Sequence, residues 1–438
     1  MNIYLETIGC RLNQSEIDSF ANQIVSLGHK IQDYPQGADL AILNTCAVTA
    51  AATSDSRQKF HHLQNQGIKE IIITGCWSTL FPEEVSSVDG LHRIIPNQSK
   101  DQLIPTIFQS NEPFDLEPID RIAPPGFRFR TRSFIKIQDG CDNHCTFCIT
   151  KIARGTSRSR SIEEIFSDIS IHTHSTDETS SSAKEIVLTG VHLGSWGQDL
   201  IPRRHLGDLV QKILGQFDFP RLRLSSLEPW DLTSEFFELW KDPRLCRQLH
   251  LPLQSGSAPT LRRMARRTTP QSFSSLVAAA RHAIPDVAIT TDLITGFPGE
   301  TDEEFEETVQ FVKEMNFAGG HVFTFSPRPG TAAVRLPDQV PHPIRKERNT
   351  RLRDILEASA SEYQSHFIDQ TVNVLWESTT AMGPEGWHLS GLTDNYLRVH
   401  ANAPHYLWNQ ITPVRITGIT QKGLEGECGS PWGEVFSI

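Results

Sequence analysis

The sequence predicts an α/β protein with three parts: an N-terminal parallel-sheet α/β domain over residues 1–110, a central partial (β/α)6 barrel over 127–366, and a small C-terminal antiparallel β-barrel over 367–438. Three patterns support this fold class. Three apolar runs each lead to a cysteine in the first hundred residues, and six strand-like runs alternate with helical segments in the middle. At the end of the chain, short strands alternate with glycine-containing turns, which is typical of a small barrel.

The N-terminal domain is predicted to bring three cysteines together. Short aliphatic runs separated by helix-length segments are typical of a parallel sheet. Ligands of such sheets bind beyond the carboxyl ends of the strands. We therefore expect the cysteines that follow these runs to share one edge of the sheet. They are Cys10 after 3–5, Cys46 after 40–43 and Cys76 after 71–73.

The middle of the chain predicts the partial barrel. Prolines within 110–130 predict a linker before it. Two helices begin with capping-box sequences, Ser161 with Glu164 and Thr301 with Glu304. The chemistry of such a barrel lies at the carboxyl ends of its strands. The six strand-like runs are 134–137, 186–188, 222–224, 249–251, 288–294 and 321–323.

Composition and charge exclude several classes of protein. Lys and Arg number 41 against 52 Asp and Glu, a net charge of −11 that argues against wholesale basic binding to nucleic acid. No apolar run approaches the roughly 18 residues of a membrane helix, and no secretory signal pattern is present, so we expect a cytoplasmic protein with no membrane partner. Cytosolic thiols stay reduced, so clustered cysteines predict metal binding or catalysis. Cys246 and Cys428 match no motif and are predicted to be structural.

The most informative motif carries Cys141, Cys145 and Cys148 within eight residues, directly after a predicted strand. Soft thiolates favour zinc, copper(I) or iron–sulfur clusters. A structural zinc site needs a fourth ligand, and the nearest one, His144, should point away from a metal that its neighbours bind. Three cysteines without a fourth ligand therefore favour a [4Fe–4S] cluster with one open iron over a zinc loop.

The spacing of these cysteines, with Phe147 before the last one, resembles the signature of radical S-adenosylmethionine (SAM) enzymes. The resemblance implies that SAM binds the open iron and is cleaved to a radical, with electrons from a donor such as flavodoxin or ferredoxin. It also implies that strand ends of the barrel lie near SAM. Phe147, Gly190, Gln254 and Asp292 are the resulting candidates for cofactor binding.

The N-terminal sequence segments 9–16, 44–49 and 74–76 resemble the N-terminal domain of the methylthiotransferases. In that family three cysteines bind a second [4Fe–4S] cluster, which implies Cys10, Cys46 and Cys76 as its ligands here. One departure follows Cys148, where the family often has Pro-Tyr and this chain has Lys-Ile at 151–152. Further family-like words are 136–141, 188–192, 223–229, 253–256, 294–300 and 325–331.

Within the family, the sequence segments 9–14, 138–143 and 391–396 most resemble the branch that acts on N6-threonylcarbamoyladenosine at position 37 of tRNA. The C-terminal barrel would then be a TRAM domain. The implied function is transfer of a methylthio group to C2 of that base, with two [4Fe–4S] clusters and two molecules of SAM. Two alternatives stay open: the sister activity on an aspartate of a ribosomal protein, and a non-catalytic iron–sulfur sensor that binds RNA.

Binding of tRNA requires contacts to its phosphates. Residues 368–438 hold three Lys or Arg against seven Asp or Glu, so aromatic side chains such as Tyr396 and Trp408, or arginines of the central barrel, must carry the binding. Arg262 and Arg266 would share one face of a helix. The three arginine clusters are 128, 130 and 132; 154, 158 and 160; and 262, 263, 266 and 267.

Overall fold

The computed structural model describes residues 1–68, 70–87, 91–108, 131–173, 182–383 and 386–428. The predicted linker, with Arg128 and Arg130, lies outside these residues, as do the predicted domain limits at residues 110, 127 and 438. The described part has the predicted fold class: a parallel α/β sheet, a partial barrel and a closed C-terminal β-barrel. No helix within it is long and apolar enough to cross a membrane.

The N-terminal sheet is parallel and has the strand order β2-β1-β3-β4-β5. The central strand β3 is buried along its whole length, because helices cover both faces of a parallel sheet, and this explains its uninterrupted apolar run. The elements are β1 (Asn2–Thr7), α1 (Arg11–Ser26), β2 (Lys30–Gln32), β3 (Leu40–Thr45), α2 (Ala50–Asn65), β4 (Ile71–Gly75), α3 (Cys76–Leu80), α4 (Pro82–Ser86), β5 (Leu91–Ile95) and α5 (Leu103–Phe108), with a 3₁₀ helix at Asn97–Gln102.

The central partial barrel, called the core below, contains the six predicted strands. They are parallel and follow the order β6-β9-β10-β11-β12-β13. Two three-stranded sheets meet where Leu222 bridges Leu245 and Ser226 bridges His250. The elements are β6 (Arg132–Lys136), β7 (Gln138–Asp139), α6 (Thr150–Arg154), β8 (Arg158–Ser159), α7 (Ile162–Thr173), β9 (Glu185–Thr189), α8 (Leu206–Gln216), β10 (Arg221–Leu224), β11 (Gln248–His250), α9 (Ala258–Arg263), α10 (Pro270–Ala283), β12 (Ala288–Thr295), α11 (Asp302–Met315), β13 (Gly319–Thr324) and α12 (His342–Ser365).

The C-terminal barrel closes in the order β14-β15-β16-β18-β17. Its pairings are antiparallel except that of β16 with β18, which is parallel. Tyr396 precedes β16 in a turn with φ +68°. The strands are β14 (Thr371–Gly383), β15 (Gly386–Thr393), β16 (Arg398–Ala403), β17 (Ile411–Thr420) and β18 (Gly423–Cys428).

Buried arginines of β10 fix this barrel to the core. Arg223 pairs with Glu185 of β9 through Nε and Nη2 at 2.6 and 3.0 Å, and its Nη1 donates to the carbonyl of Asp394 at 2.9 Å. Arg221 donates to the carbonyl of Leu392 at 2.9 Å. Side chains of Arg223 and Glu185 are both 0% exposed. Because buried charges persist only when they are paired and hydrogen-bonded, these contacts hold the two parts in one arrangement.

Candidate functional site

The loop from Cys141 to Cys148 is held by backbone hydrogen bonds at both ends. Cys141 donates its N–H to the carbonyl of Gly155 at 3.1 Å, and Thr146 donates to that of Met264 at the same distance. The loop follows β6 and β7, so its cysteines lie at the carboxyl end of the barrel, as predicted. This framework points three thiols, none in a disulfide, toward one region of the mouth.

Arg266 lies against this loop. Its Nη1 donates to Cys145 Sγ at 3.8 Å, its Nη2 donates to Glu228 at 2.7 Å, and its guanidinium lies 4.4 Å from the centre of the Trp230 ring. Helix α9 ends at Arg263, so Arg266 does not continue the helical face of Arg262. The expectation that Arg262 and Arg266 form one phosphate-binding face is therefore wrong, because Arg266 is buried and paired.

His192, just after β9, contacts Cys141 on the other side of the loop. Its Nε2 lies 2.5 Å from Asp231 Oδ2, and its Nδ1 lies 3.4 Å from the amide of Asn143. Burial would lower the pKa of His192, but hydrogen bonds to Asp231 and Cys141 raise it to about 10. The imidazole, held by Asp231, therefore positions Cys141.

The N-terminal cysteines meet at the carboxyl edge of the sheet, since β1, β3 and β4 are adjacent and parallel. Gly9 has φ +109°, and a Cβ there would lie 2.8 Å from Cys46 Sγ, so only glycine lets the Cys10 turn approach this closely. Burial, with smaller contributions from the nearby thiols of Cys76 and Cys10, raises the pKa of Cys46 to about 11. The sheet therefore brings the three thiols together, as the sequence predicted.

Helix α6 begins directly after the loop that carries Cys141, Cys145 and Cys148, and it contacts the N-terminal cysteine triplet. The Nδ2 atom of Asn97 donates to the carbonyl of Ala153 at 2.9 Å and to Cys76 Sγ at 3.6 Å. The two triplets are therefore neighbours in space, although 65 positions separate Cys76 from Cys141 in the sequence (141 minus 76).

Arg154, the last residue of α6, links the two cysteine-bearing segments. Its Nη1 donates to Glu16 at 3.0 Å and to Asp139 at 2.9 Å, and its Nη2 donates to Asn13 at 2.7 Å. Asn13 lies three residues after Cys10, and Asp139 two residues before Cys141. A single buried guanidinium thus fixes one segment against the other, and it is not available to a phosphate.

The turn after β13 lies between α6 and Cys46. Arg328 opens it, and Thr331 closes it by donating its N–H and hydroxyl to the Arg328 carbonyl at 3.1 and 2.8 Å. A Cβ at Gly330 would lie 3.0 Å from Ile152 Cδ1 of α6. Burial lowers the pKa of Arg328, and the opposing influence is Cys46. Arg328 therefore lies within electrostatic range of Cys46, a member of the N-terminal triplet.

The structure brings together two of the four predicted cofactor contacts. Gln254 has φ +75° and donates its N–H to the carbonyl of Asp292 at 2.8 Å. The Oδ1 atom of Asp292 is buried without a partner among the described residues. Gly190 packs against Gln138 at the end of β9. Phe147 packs edge-on against the ring of Phe297, with 6.4 Å between the ring centres.

The donor sets fit an iron–sulfur cluster better than a single ion. Across the described residues, no three His, Cys, Asp or Glu side chains are close enough to share one metal ion, whereas a structural zinc needs four donors around one atom. A cubane binds each thiolate through a different iron and so tolerates wider separation. His144 is exposed and lies beside Lys151 (3.1 Å), so it does not supply a fourth ligand.

Other residues proposed for RNA have structural roles. Arg132 pairs with Glu377 at 2.5 Å, and Arg160 pairs with Asp168 at 2.6 Å. Tyr396 accepts a hydrogen bond from Arg11 at 2.6 Å and is half-buried between arginines of the core. Arginines of the predicted clusters that remain exposed are Arg158, Arg262 and Arg267, and Trp408 is half-buried.

Sequence reasoning missed the roles of Glu228, Trp230, Asp231 and Arg328. The first three lie in one short segment after β10, at the carboxyl end of a barrel strand, and polar residues at that position were the available signal.

Cys246 is buried with its Sγ 3.8 Å from Glu185, and Cys428 is half-buried in β18. Neither contributes to the cysteine triplets.

Two family models match the chain. The model of the radical SAM superfamily matches residues 135–312, and that of the uncharacterized protein family UPF0004 matches residues 2–95. Each match contains one of the cysteine triplets.

Several relatives resemble the chain over nearly its whole length. The threonylcarbamoyladenosine tRNA methylthiotransferase MtaB of Bacillus subtilis is 33% identical, with 94% of this chain and 93% of the relative covered. MtaB of Thermotoga maritima is 33% identical over 96% of both chains. The tRNA-2-methylthio-N(6)-dimethylallyladenosine synthase of Geobacillus kaustophilus is 32% identical over 97% of this chain and 81% of its own length. A solved radical SAM methyltransferase, TsrM from Kitasatospora setae, shares the fold, with a TM-score of 0.55, 14% identity and 76% of each chain covered.

Proposed function

This chain belongs to the methylthiotransferases of the radical SAM superfamily, and from that premise we propose that it transfers a methylthio group to C2 of N6-threonylcarbamoyladenosine at position 37 of tRNA in the cytoplasm. When bound, two [4Fe–4S] clusters and two molecules of SAM would supply the one-electron chemistry that an unactivated C–H bond requires, the methyl group, and a site that holds the methylthio group. A flavodoxin or ferredoxin would supply the electrons.

One observation carries this proposal: α6 joins two cysteine triplets that lie at the carboxyl edges of two different sheets. Cys141, Cys145 and Cys148 would hold one cluster, and a second triplet would hold the other. The second triplet is Cys10, Cys46 and Cys76. Because the two are adjacent, a base bound between them can be reached from both.

The remaining residues of the mouth bind and orient. The buried, unpartnered carboxylate oxygen of Asp292 supports a contact to a donor group of SAM, with Gln254 beside it. Arg266 places a cation against Cys145 of the loop, and His192 lies against Cys141. The guanidinium compensates thiolate charge inside a partly buried mouth, where water does so less well. Gly190 and Phe147 remain proposed contacts of the cofactor.

Mass spectrometry of nucleosides from tRNA of a deletion strain tests the function. The expected result is loss of the 2-methylthio derivative and accumulation of N6-threonylcarbamoyladenosine, both reversed by the wild-type gene. Relatives named for dimethylallyladenosine are 31–33% identical, so loss of that methylthio derivative instead would reassign the base.

Unchanged tRNA would leave the two other functions. Reduced protein that cleaves SAM would then favour the aspartate of a ribosomal protein as the substrate. Reduced protein that leaves SAM intact would favour an RNA-binding iron–sulfur sensor. The substrate assay and the cleavage assay together therefore separate all three.

A further inference from the structure

Arg328 is a buried arginine whose charge has no partner among the residues that the structure describes. The residue is 9% exposed, and its Nη2 atom is fully buried. Its guanidinium has no hydrogen bond or ion pair with any residue that the structure describes. Its main-chain carbonyl, in contrast, is held by two hydrogen bonds from Thr331, so the position of the residue is fixed.

The other buried arginines of the core show how unusual this is. Arg154, Arg223 and Arg266 each pair with at least one carboxylate and one further acceptor. Leaving a buried charge without such partners is strongly destabilising. The described part of the chain therefore leaves at Arg328 a cation that can take an anion from outside that part.

The position of Arg328 indicates where that anion comes from. The turn that carries Arg328 packs through Gly330 onto Ile152 of α6, and the guanidinium is near enough to Cys46 to interact with it electrostatically. It therefore lies beside the region where a base must sit to reach both cysteine triplets. A guanidinium presents a planar fork of N–H groups, which matches the two oxygens of a carboxylate or a phosphate.

We propose that Arg328 binds an oxyanion of the tRNA substrate at the N-terminal cysteine site. The inference rests on the proposed function. Two groups of the substrate carry this chemistry: the carboxylate at the end of the threonylcarbamoyl group, and a backbone phosphate next to the target base. Binding the carboxylate would also select against a dimethylallyl group, which is apolar.

The test measures binding of anticodon stem-loop RNAs to reconstituted, iron-loaded protein. The RNAs carry threonylcarbamoyladenosine, unmodified adenosine or dimethylallyladenosine at position 37. The variants are Arg328→Gln, which removes the charge at similar size, and Arg328→Lys, which keeps the charge but lacks the fork. Arg335→Gln is the matched control, because Arg335 is an exposed arginine of the same loop. Iron is counted in every preparation.

If the oxyanion is the carboxylate, Arg328→Gln weakens binding of the threonylcarbamoyl RNA about 10- to 100-fold and leaves the other two unchanged, since a hydrogen bond to a charged group is worth about 1.5–3 kcal/mol. If it is a phosphate, all three RNAs weaken together and the salt slope falls by about one. Arg328→Lys is intermediate in either case, and Arg335→Gln does not distinguish the RNAs.

Wild-type affinity of Arg328→Gln and Arg328→Lys for all three RNAs would overturn the inference. So would loss of about four irons, one cubane, from either variant, because the guanidinium would then support the cluster rather than the substrate. Both results leave the proposed function intact as long as the wild-type protein methylthiolates threonylcarbamoyl RNA. Wild-type protein that modifies none of the three RNAs would instead contradict the proposed function.

Discussion

Each cysteine triplet has a buried arginine beside it, and these two residues differ from the surface arginines that a tRNA-binding protein needs. Arg266 contacts Cys145, and Arg154 interacts electrostatically with Cys76 and Cys10. Partners outside the ligand set tune a metal centre and orient its ligands. Both arginines also pair with carboxylates. Each therefore fixes the position of a cysteine-bearing segment as well as balancing its charge.

Arg154→Lys should separate SAM cleavage from product formation. Lysine keeps the charge but cannot contact Glu16, Asp139 and Asn13 at once, so the cysteine-bearing segments shift relative to each other. We expect both clusters to load and SAM to be cleaved, while methylthiolated tRNA per SAM cleaved falls roughly 10- to 100-fold, the effect of a displacement of about 1 Å. Product and deoxyadenosine are quantified in one reaction.

The matched control for this prediction is Arg223→Lys. It weakens another fully buried arginine–carboxylate pair that touches neither cysteine loop. A purely structural role for Arg154 would make the two variants equivalent, with similar losses of thermal stability and a wild-type ratio of product to SAM cleaved.

Exposed arginines at the barrel mouth are the better phosphate contacts. Arg262 and Arg267 are exposed, whereas Arg266 between them is buried. Arg262→Ala with Arg267→Ala should weaken tRNA binding and lower the salt slope by about two, with SAM cleavage unchanged. Arg266→Ala should instead destabilise the cysteine loop by about 3–5 kcal/mol, because Glu228 is left without its partner. Salt titrations and iron counts on both variants test this pair of expectations.

Strand β10 is the element that joins the central and C-terminal parts. Its arginines reach across to carbonyls at the end of β15 and in the turn that follows it. The same turn carries Tyr396, whose hydroxyl accepts a hydrogen bond from Arg11 at the start of α1. This turn is consequently a junction of all three parts and not a surface for stacking RNA bases.

Glu185→Gln tests this junction through pH. Burial would raise the pKa of Glu185, but Arg223 holds it below its usual value. The pair therefore stabilises the fold fully above the unfolded pKa of about 4.3, and the stabilisation is lost as pH falls through the lower folded value. At pH 7 we expect the variant to be about 3–5 kcal/mol less stable, because Arg223 stays buried without its carboxylate partner.

Urea unfolding of wild type and Glu185→Gln at pH 7 and at pH 3 measures this difference. The difference between the two proteins should be smaller at the lower pH, because Glu185 of the unfolded wild-type protein is protonated there and folding must displace that proton. A difference that stays the same at both pH values would contradict the ion-pair explanation.

At the scale of the whole molecule, the N-terminal sheet and the central barrel each carry one cysteine triplet at the carboxyl ends of their strands. Three parallel strands position the first triplet, and one loop positions the second. Neither sheet alone can place a base between the two. The cores of the two parts are distinct hydrophobic clusters, so the arrangement depends on α6 and the polar contacts around it.

Removing one triplet should therefore leave the other cluster in place. Reconstituted wild-type protein should hold about eight irons, four per cubane. Alanine at Cys141, Cys145 and Cys148 should halve the iron and abolish SAM cleavage. The second triple variant, with alanine at the three N-terminal cysteines, should also halve the iron but still cleave SAM without forming product.

Iron and product measurements on the two triple variants decide this. Stoichiometric zinc without iron–sulfur absorption would contradict the cluster assignment altogether. Methylthiolation by the N-terminal triple variant would contradict only the role of the second cluster.

Local sequence was sufficient for the strands and the cysteines. Apolar periodicity predicted the six strands of the barrel, and the placement of Cys10, Cys46 and Cys76 after parallel strands predicted a shared edge, because both depend on neighbours in the chain. The capping boxes at Ser161 and Thr301 are present for the same reason. Spacing likewise identified the core motif.

Tertiary structure alone decided which charged residues face solvent. Arg154 pairs with Glu16, 138 residues away, and Arg266 pairs with Glu228, 38 residues away, so nothing near either arginine in the sequence distinguishes it from an exposed one. Tyr396 likewise becomes a junction only when Arg11, 385 residues away, folds against it. The partner that buries a charge comes from a distant segment, and the lack of one among the described residues, as at Arg328, is visible only in the folded structure.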